Sequence, residues 1–323
     1  MNTATRATGA PMSTSAATAT PARTWRRRVR RLRRRFAAFA GLTWLRLTFV
    51  VLRVVAPRAA DRRALDVWCT LPPGARRRLD ARPGPGDVVR LPAERGGGDV
   101  VAEVWGDDGA PVVYLVHGWG GWRGQLGAFV GPFLEAGYRV VAVDAPGHGD
   151  ADAGFMGPHR GTITEMIEAF EEAVRAFGSP AGVVAHSLGT TVAMAALRDG
   201  VAADRLVLLA PNPAFATLVD TFASVLRIGE RAKGHLRTAL EDITGRPIDD
   251  FDVVPAGADG TMPDALVVHD LADKETPHAV GAAVAATWPN ATLLSTRGLG
   301  HYRILTDPEV VRAAVGHVRA ARG

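Results

Sequence analysis

The sequence has a single cysteine, Cys69, in 323 residues, so it cannot form an intramolecular disulfide. A chain without disulfides is compatible with a reducing compartment, and we therefore predict a cytoplasmic location. Hydrophobic residues make up 47% of the chain and charged residues 22%. This balance is typical of a globular protein that buries a sizeable core, and it excludes a wholly disordered chain.

Acidic residues are scarce in the first 85 positions. This part of the chain has 3 Asp and Glu against 19 Lys and Arg, whereas residues 86–323 have 30 against 19. The isoelectric point of about 10.1 therefore reflects the N-terminal part alone. Its arginines lack interleaved aromatic residues and a recognisable binding domain, so they support only non-specific contact with a polyanion. No specific nucleic-acid partner is predicted.

The sequence also lacks the paired spacings of a metal site, such as H-x-x-x-H. His117, His148 and His186 fall in three separate segments that a parallel sheet would bring to one rim. We interpret His117 and His148 as residues that brace loops. No metal and no cofactor is predicted.

A short apolar strand runs into a small-x-Ser-x-Gly turn at Val183–Gly189, and a helical segment follows it. A serine hydroxyl is a poor nucleophile, and a sharp turn between strand and helix exposes it to a base. Ser187 stands at the tip of this turn, with Ala185 where the G-x-S-x-G pattern has its first glycine. The alternative is that Ser187 is a helix N-cap. An aspartate here would indicate a dehalogenase, and the serine excludes that chemistry.

An apolar run, Val112–Val116, predicts a strand buried on both faces, and the glycine-rich stretch His117–Gly121 follows it. An oxyanion hole requires two backbone N–H groups directed at the developing negative charge. The amide of Leu188, just after the serine, and the amide of Trp119 are the candidates for this pair.

The remaining candidates come from two later segments. The buried-strand run Ala265–His269 is followed by two acids, Asp270 and Asp273, either of which can orient a histidine. His301 follows Gly298 and Gly300 in a predicted loop after another strand-like run, Ala291–Ser295, and it is the candidate base.

The order Ser187, Asp273, His301 resembles that of the α/β-hydrolase superfamily, with greatest similarity to its serine esterases and lysophospholipases. The resemblance extends from about Asp99 to Val318. Asp273 matches the acid of the H-G-x-x-D-x-x-x-P segment, although Asp270 stands where many members have glycine. His301 matches the histidine of the G-x-x-H loop, and Asp144–Gly149 matches the D-x-x-G-H-G turn.

The resemblance implies an α/β fold with a mostly parallel eight-stranded sheet, helices on both faces, and a small helical lid between strands 6 and 7. The lid would occupy about residues 211–264, with helices at Ala214–Ile228 and Glu230–Ile243. Its apolar side chains would line a pocket or belong to the core. The strands are expected near Asp87–Leu91, Asp99–Trp105, Val112–Val116, Arg139–Val143, Gly182–Ala185, Leu206–Ala210, Ala265–His269 and Ala291–Ser295.

The N-terminal part divides further. Residues 1–24 are rich in Thr, Ala, Ser and Pro and predict a disordered tail. Residues 25–85 predict a helical extension and a linker, ahead of a catalytic domain over 86–323. This extension has eight arginines in the ten residues 26–35, followed by a mostly apolar stretch that is interrupted by Arg46 and Arg53.

On a helix, Arg35, Arg46 and Arg53 would form a thin cationic stripe beside the side chains Phe36, Phe39, Leu42, Leu45, Phe49 and Leu52. This pattern predicts a helix lying on an anionic membrane surface, which would make the protein peripheral at the inner face of the membrane. The alternatives are a helix packed against the catalytic domain and a twin-arginine signal, although the two later arginines interrupt the apolar region of such a signal.

The sequence therefore predicts a serine hydrolase that cleaves a small-molecule carboxylic ester through an acyl-enzyme on Ser187. The alternatives are an acyltransferase with the same triad and a non-catalytic, membrane-associated protein of hydrolase fold.

Overall fold

The computed structural model describes residues 39–72, 79–93 and 98–322. Within them, eight strands form one sheet in the order β1-β2-β4-β3-β5-β6-β7-β8, and β2 runs antiparallel to both of its neighbours while the later pairs are parallel. The expected mostly parallel sheet is confirmed. The strands are β1 (Asp87–Leu91), β2 (Val100–Trp105), β3 (Val112–Val116), β4 (Arg139–Asp144), β5 (Pro180–His186), β6 (Arg205–Leu209), β7 (Asp264–Asp270) and β8 (Ala291–Thr296).

Helices cover both faces of this sheet, as the apolar runs of the central strands require. Every residue of β2, β3 and β5 is buried, because both faces of these strands lie against a hydrophobic layer. The α-helices are α1 (residues 39–55), α2 (Pro57–Cys69), α3 (Val130–Glu135), α4 (Ile163–Phe177), α5 (Leu188–Arg198), α6 (Phe215–Leu226), α7 (Glu230–Thr244), α8 (Val253–Ala256), α9 (His278–Thr287), α10 (Gly300–Arg303) and α11 (Pro308–Arg319). Short 3₁₀ helices span Arg123–Phe129, Ile248–Phe251 and Ala320–Arg322.

Two helices expected between the sixth and seventh strands are present as α6 and α7. Helix α6 buries Phe215, Val219, Ala223 and Leu226 along one side, and α7 buries Ala232, Leu236 and Leu240. This spacing of three and four residues is that of an amphipathic helix packed on a core. Movement of these helices as a lid remains a prediction.

The N-terminal helices pack against the same core as the sheet. Phe49 of α1 and Ala60 and Ala64 of α2 are buried in the hydrophobic cluster that covers one face of the strands. Arg46 Nε donates a hydrogen bond of 2.6 Å to the carbonyl of Val225 at the end of α6. One side of α1 therefore packs against the body, as one of the alternatives for the extension predicted. Removal of α1 and α2 would expose this core to water.

Part of the predicted extension lies outside the described residues, namely the tail 1–24, the arginine run 26–35 and the linker positions 73–78. Among the helices of the described ranges, none is both long enough and apolar enough to cross a lipid bilayer.

The packing of α1 predicts a difference between two phenylalanines of this helix. Phe49→Ala should lower the free energy of unfolding by about 3 kcal/mol, because it removes a fully buried ring and leaves a cavity. Phe39→Ala is the matched control and should change it by less than about 0.5 kcal/mol, because Phe39 is 67% exposed. Urea unfolding followed by circular dichroism measures both values. Equal effects of the two substitutions would contradict the packing of α1 on the body.

Candidate active site

Ser187 occupies the tight turn between β5 and α5. Its backbone has φ 52° and ψ −123°, a conformation that costs a non-glycine residue free energy and that directs the side chain away from the sheet. The backbone N–H of Ser187 donates to the carbonyl of Leu209 in β6 at 2.9 Å, which fixes the turn to the neighbouring strand. The side chain makes no capping hydrogen bond to α5, so the N-cap alternative does not describe this serine.

Two glycines allow this turn to lie directly against the end of β3. A Cβ atom on Gly118 would come within 2.9 Å of the Ser187 Cβ, and one on Gly189 within 2.5 Å of the Val116 carbonyl oxygen. Contacts this short are not tolerated, so any larger residue would separate the two segments. Glycine at both positions therefore brings the loop His117–Gly121 against the serine.

The two candidate oxyanion donors lie at this junction. Leu188 is the first residue of α5, where a backbone N–H has no acceptor within the helix. Trp119 lines the same cavity as Ser187 and Leu188. Its loop is braced by a turn in which the Gly121 N–H donates to the Gly118 carbonyl at 2.9 Å.

A buried group of ion pairs around Arg123 stabilises the loop that carries Trp119. The Arg123 guanidinium, 6% exposed, contacts Glu103 at 2.7 Å and Asp150 at 2.9 Å, and it also pairs with Asp144. The backbone N–H of Arg123 donates to Asp144 at 2.6 Å, and that of Asp150 donates to the same carboxylate at 2.9 Å. Removal of one member would leave a buried charge unpaired, so the network holds the loop after β4 against the loop that carries Trp119.

His301 is held in place by contacts with Asp273 and with His186, the residue before the serine. Its Nδ1 lies 2.8 Å from Asp273 Oδ2, and its carbonyl accepts a hydrogen bond of 3.0 Å from His186 Nε2. The His186 and His301 rings lie 4.6 Å apart. Burial and the neighbouring His301 lower the pKa of His186 to about 3, so His186 is neutral at physiological pH and acts as a support.

Asp273 is placed to orient the imidazole. Its side chain has no exposed surface, and it accepts hydrogen bonds from the Glu275 N–H at 2.8 Å and the Thr276 N–H at 3.1 Å. Burial alone would raise the pKa of Asp273, but hydrogen bonds from His269, His301 and these amides hold it well below its usual range. An ionised Asp273 accepts the Nδ1–H of His301, which leaves Nε2 free to accept a proton.

Asp270 has a different task in the same loop region. It is fully buried and accepts hydrogen bonds from the Thr296 hydroxyl at 2.8 Å and from the Leu299 N–H at 2.9 Å. Burial opposes ionisation, but the amide and hydroxyl donors dominate and lower the pKa of Asp270 to about 2. Asp270 thus fixes the segment that leads into α10, because His301 lies in this short helix and not in the loop that the sequence predicted. None of the described hydrogen bonds of Asp270 reaches the imidazole.

Sequence reasoning did not identify a third carboxylate at the site. Glu275 Oε2 lies 3.9 Å from His301 Nε2, and it accepts a hydrogen bond of 2.9 Å from the Tyr302 hydroxyl. Glu275 is two residues after Asp273, and Tyr302 directly follows His301. Their adjacency to the two motif residues was the only available signal.

The other two histidines considered at the rim brace their loops. His117 Nδ1 lies 2.8 Å from the Gly118 carbonyl oxygen, and the His117 and His148 rings are 5.1 Å apart. Burial lowers the pKa of His148 to about 3. In the described ranges, no three His, Cys, Asp or Glu side chains are grouped so that they could hold a metal ion.

An apolar cavity of about 450 Å³ opens onto Ser187. Helices α6 and α7 contribute to its walls. For Phe215, Leu218, Phe222, Val225 and Leu226 the sequence left a pocket and the core as alternatives; the first four line the cavity, whereas Leu226 is buried in the core. The sequence did not indicate that α2 contributes Trp68 and Cys69 to the same cavity. The Trp68 ring packs edge-on against Phe222 at 5.2 Å. Burial, reinforced by Glu165, raises the pKa of the Cys69 thiol to about 12, so the thiol remains protonated.

Comparison with known proteins agrees with this geometry. The profile of the alpha/beta hydrolase family matches residues 113–314, more than half of the chain. The chain belongs to the alpha/beta hydrolase family. This match covers the elbow serine, both acids and His301, and it begins well after α1 and α2.

Similar curated members of the family are esterases. The chain is 42% identical over 88 residues to a pimeloyl-[acyl-carrier protein] methyl ester esterase of Neisseria meningitidis serogroup C. These 88 residues cover 27% of this chain and 31% of that protein. It is 31% identical over 177 residues to the protein of the same name from Aromatoleum aromaticum. This aligned stretch covers 54% of this chain and 63% of the relative. The matches thus span about a third to two thirds of the length of these relatives.

Solved structures share the fold. An esterase from Exiguobacterium antarcticum superposes with a TM-score of 0.54 at 17% identity, over 72% of this chain and 99% of the other. A putative hydrolase from Agrobacterium vitis gives a TM-score of 0.54 at 18% identity, over 74% and 99%. These likenesses confirm the α/β-hydrolase fold.

The different contacts of the two acids predict different effects of removing their charge. Asp273→Asn should lower kcat/KM for a p-nitrophenyl ester by roughly a thousandfold or more, because the asparagine amide favours the wrong imidazole tautomer. Asp270→Asn should mainly lower the melting temperature, since its NH2 group must face either the Ala272 N–H at Oδ1 or the Thr296 and Leu299 donors at Oδ2. A larger loss of kcat/KM at Asp270, with Asp270→Asn still folded, would show that the acid is misassigned.

Proposed function

We propose that this protein is a serine carboxylesterase that forms an acyl-enzyme on Ser187. The observation that carries the proposal is the strained turn at Ser187, directly after His186, whose ring lies 4.6 Å from that of His301. His301 Nδ1 in turn lies 2.8 Å from a buried carboxylate. The ester chemistry of the similar family members supports it, because they are named as methyl ester esterases.

The first half of the reaction transfers the acyl group to the serine. Ser187 Oγ attacks the ester carbonyl carbon while His301 Nε2 accepts the hydroxyl proton, and Asp273 stabilises the resulting imidazolium. The N–H groups of Trp119 and Leu188 donate to the carbonyl oxygen as it gains negative charge. The bond to the alcohol then breaks, the alcohol takes the proton from His301 Nε2, and the acyl group remains on Ser187.

The second half releases the acid. Water attacks the acyl carbonyl while His301 Nε2 takes one of its protons, and the same oxyanion donors stabilise the new tetrahedral intermediate. When this intermediate collapses, Ser187 Oγ leaves and recovers its proton from His301. The Glu275 carboxylate lies 3.9 Å from the same Nε2.

The substrate is assigned from the cavity. A volume of about 450 Å³ with largely apolar walls suits an apolar acyl group, because such a site offers burial and few hydrogen-bond partners. Ser187 lines this cavity together with the aromatic side chains Trp68, Phe215 and Phe222. We therefore propose an ester with an apolar acyl chain that extends from the serine between α2 and α6.

The assignment of Ser187 and His301 predicts large losses of turnover. Ser187→Ala and His301→Ala should each lower kcat for p-nitrophenyl butyrate by at least about a thousandfold, since the members of a triad act as a unit. Ser179→Ala is the matched control, because this exposed serine precedes β5 at the opposite end of the strand from Ser187. Turnover by Ser187→Ala at the wild-type rate would contradict the proposal.

The position of Trp68 predicts a change in acyl specificity. Trp68→Ala should enlarge the cavity and raise the ratio of kcat/KM for p-nitrophenyl decanoate to that for the butyrate by about tenfold, the scale of one or two buried methylenes. Trp44→Ala, at an exposed tryptophan of α1, is the control and should leave the ratio unchanged. An unchanged ratio in folded Trp68→Ala would place the acyl chain elsewhere.

A further inference from the structure

Helix α1 has two apolar sides, and the body covers only one of them. Phe49 is fully buried against the body, with Leu42, Leu45 and Leu52 packed beside it. The opposite side is exposed and is called the outer face here. It comprises Trp44 (64% exposed), Leu47 (59%), Val51 (56%), Val54 (74%) and Val55 (71%).

The outer face is continuous and free of charge. At 100° per residue its five side chains fall within an arc of about 100°, and no charged residue lies inside that arc. Arg46 and Arg53 lie on the flank, where Arg46 is fixed by its hydrogen bond to the Val225 carbonyl. The helix cannot turn its outer face inward without breaking that bond and exposing Phe49.

Such a surface requires an occupant, because soluble monomers seldom expose a contiguous group of large apolar side chains. Charge decides which one. The ten residues 26–35 contain eight arginines, and the first 85 residues have 19 basic against 3 acidic residues. A second copy of the chain would bring like charges together, whereas a bilayer with anionic headgroups offers both an apolar interior and negative charge.

We propose that the outer face of α1 binds the protein to the surface of a bilayer that contains anionic lipid, a choice of lipid that the excess of basic residues in the first 85 positions favours. Helix α1 lies in the plane of the headgroups, with Trp44 and its apolar neighbours among the upper acyl carbons. Arg53, which is exposed on its flank, extends toward the phosphates, whereas Arg46 stays bonded to the body. The side of α1 that meets the lipid is the outer face, centred on Trp44, Leu47 and Val51. The other apolar side chains, Leu42, Leu45, Phe49 and Leu52, already pack against the body.

Helix α1, which presents the outer face, is connected to the apolar cavity through α6. Val225, whose carbonyl accepts from Arg46, lines the cavity that opens onto Ser187. The docked helix thus holds α6 near the lipid, where an apolar ester is concentrated. This consequence rests on the proposed esterase function, but the docking itself does not.

Cosedimentation of the full chain with lipid vesicles tests the proposal. Wild-type protein should partition to phosphatidylcholine vesicles containing 30% phosphatidylglycerol at least tenfold more strongly than to phosphatidylcholine alone, and the difference should shrink as salt rises. The variant Trp44→Gln, Leu47→Gln, Val51→Gln should lose at least tenfold in partitioning. A control variant, Val88→Gln with Phe155→Gln, alters two exposed apolar residues elsewhere and should bind as wild type.

Two further measurements make the outcome decisive. Lipids with brominated acyl chains should quench wild-type tryptophan fluorescence, and Trp44→Phe should lose most of that quenching. The triple variant should keep its melting temperature and its hydrolysis of soluble p-nitrophenyl acetate, which separates this test from that of the active site. Wild-type vesicle binding by the folded triple variant would overturn the proposal. So would a lipid-independent dimer that the triple substitution dissociates, because it would identify a second copy as the occupant.

Discussion

The site depends on the left-handed backbone of Ser187. A positive φ at a non-glycine residue costs on the order of 1–3 kcal/mol, so the turn persists only because its surroundings allow no other path. The Ser187 N–H is bonded to β6, while Gly118 and Gly189 let the end of β3 approach the turn more closely than any side chain would permit. The same close approach puts the glycine-rich loop against the serine, and Trp119 of that loop lines the same cavity as Ser187.

The two acids of the β7 loop divide the support of His301 between them. Asp270 binds the backbone just before α10, through the Leu299 N–H, and Asp273 binds the imidazole of His301 in α10. The first contact fixes where the residue is, and the second fixes which nitrogen carries the proton. Both carboxylates have pKa values below their usual range, so both contacts persist across physiological pH. Their interactions would weaken only in strong acid, as each carboxylate is protonated.

The sequence predicted those parts of the molecule that local patterns determine. Apolar runs located the strands, and the turn around Ser187 together with the motif spacing located the three triad candidates. It did not predict contacts between distant segments, such as Trp68 in the acyl cavity or Glu275 beside His301 Nε2. The helical pattern of α1 grouped Leu42, Leu45, Phe49 and Leu52 with the arginine stripe, because periodicity identifies an apolar side but not what covers it. The outer face became evident only once the body was seen to occupy the other side.

Identification of the residue that reacts with a fluorophosphonate tests the central claim most directly. Such reagents phosphonylate a serine that an adjacent imidazole activates, and peptide mass mapping of the product locates the modified residue. The account predicts one adduct, on the peptide that contains Ser187, and its loss in His301→Ala. An adduct on another serine, or an unmodified Ser187 in folded protein after complete reaction of a control esterase, would contradict it.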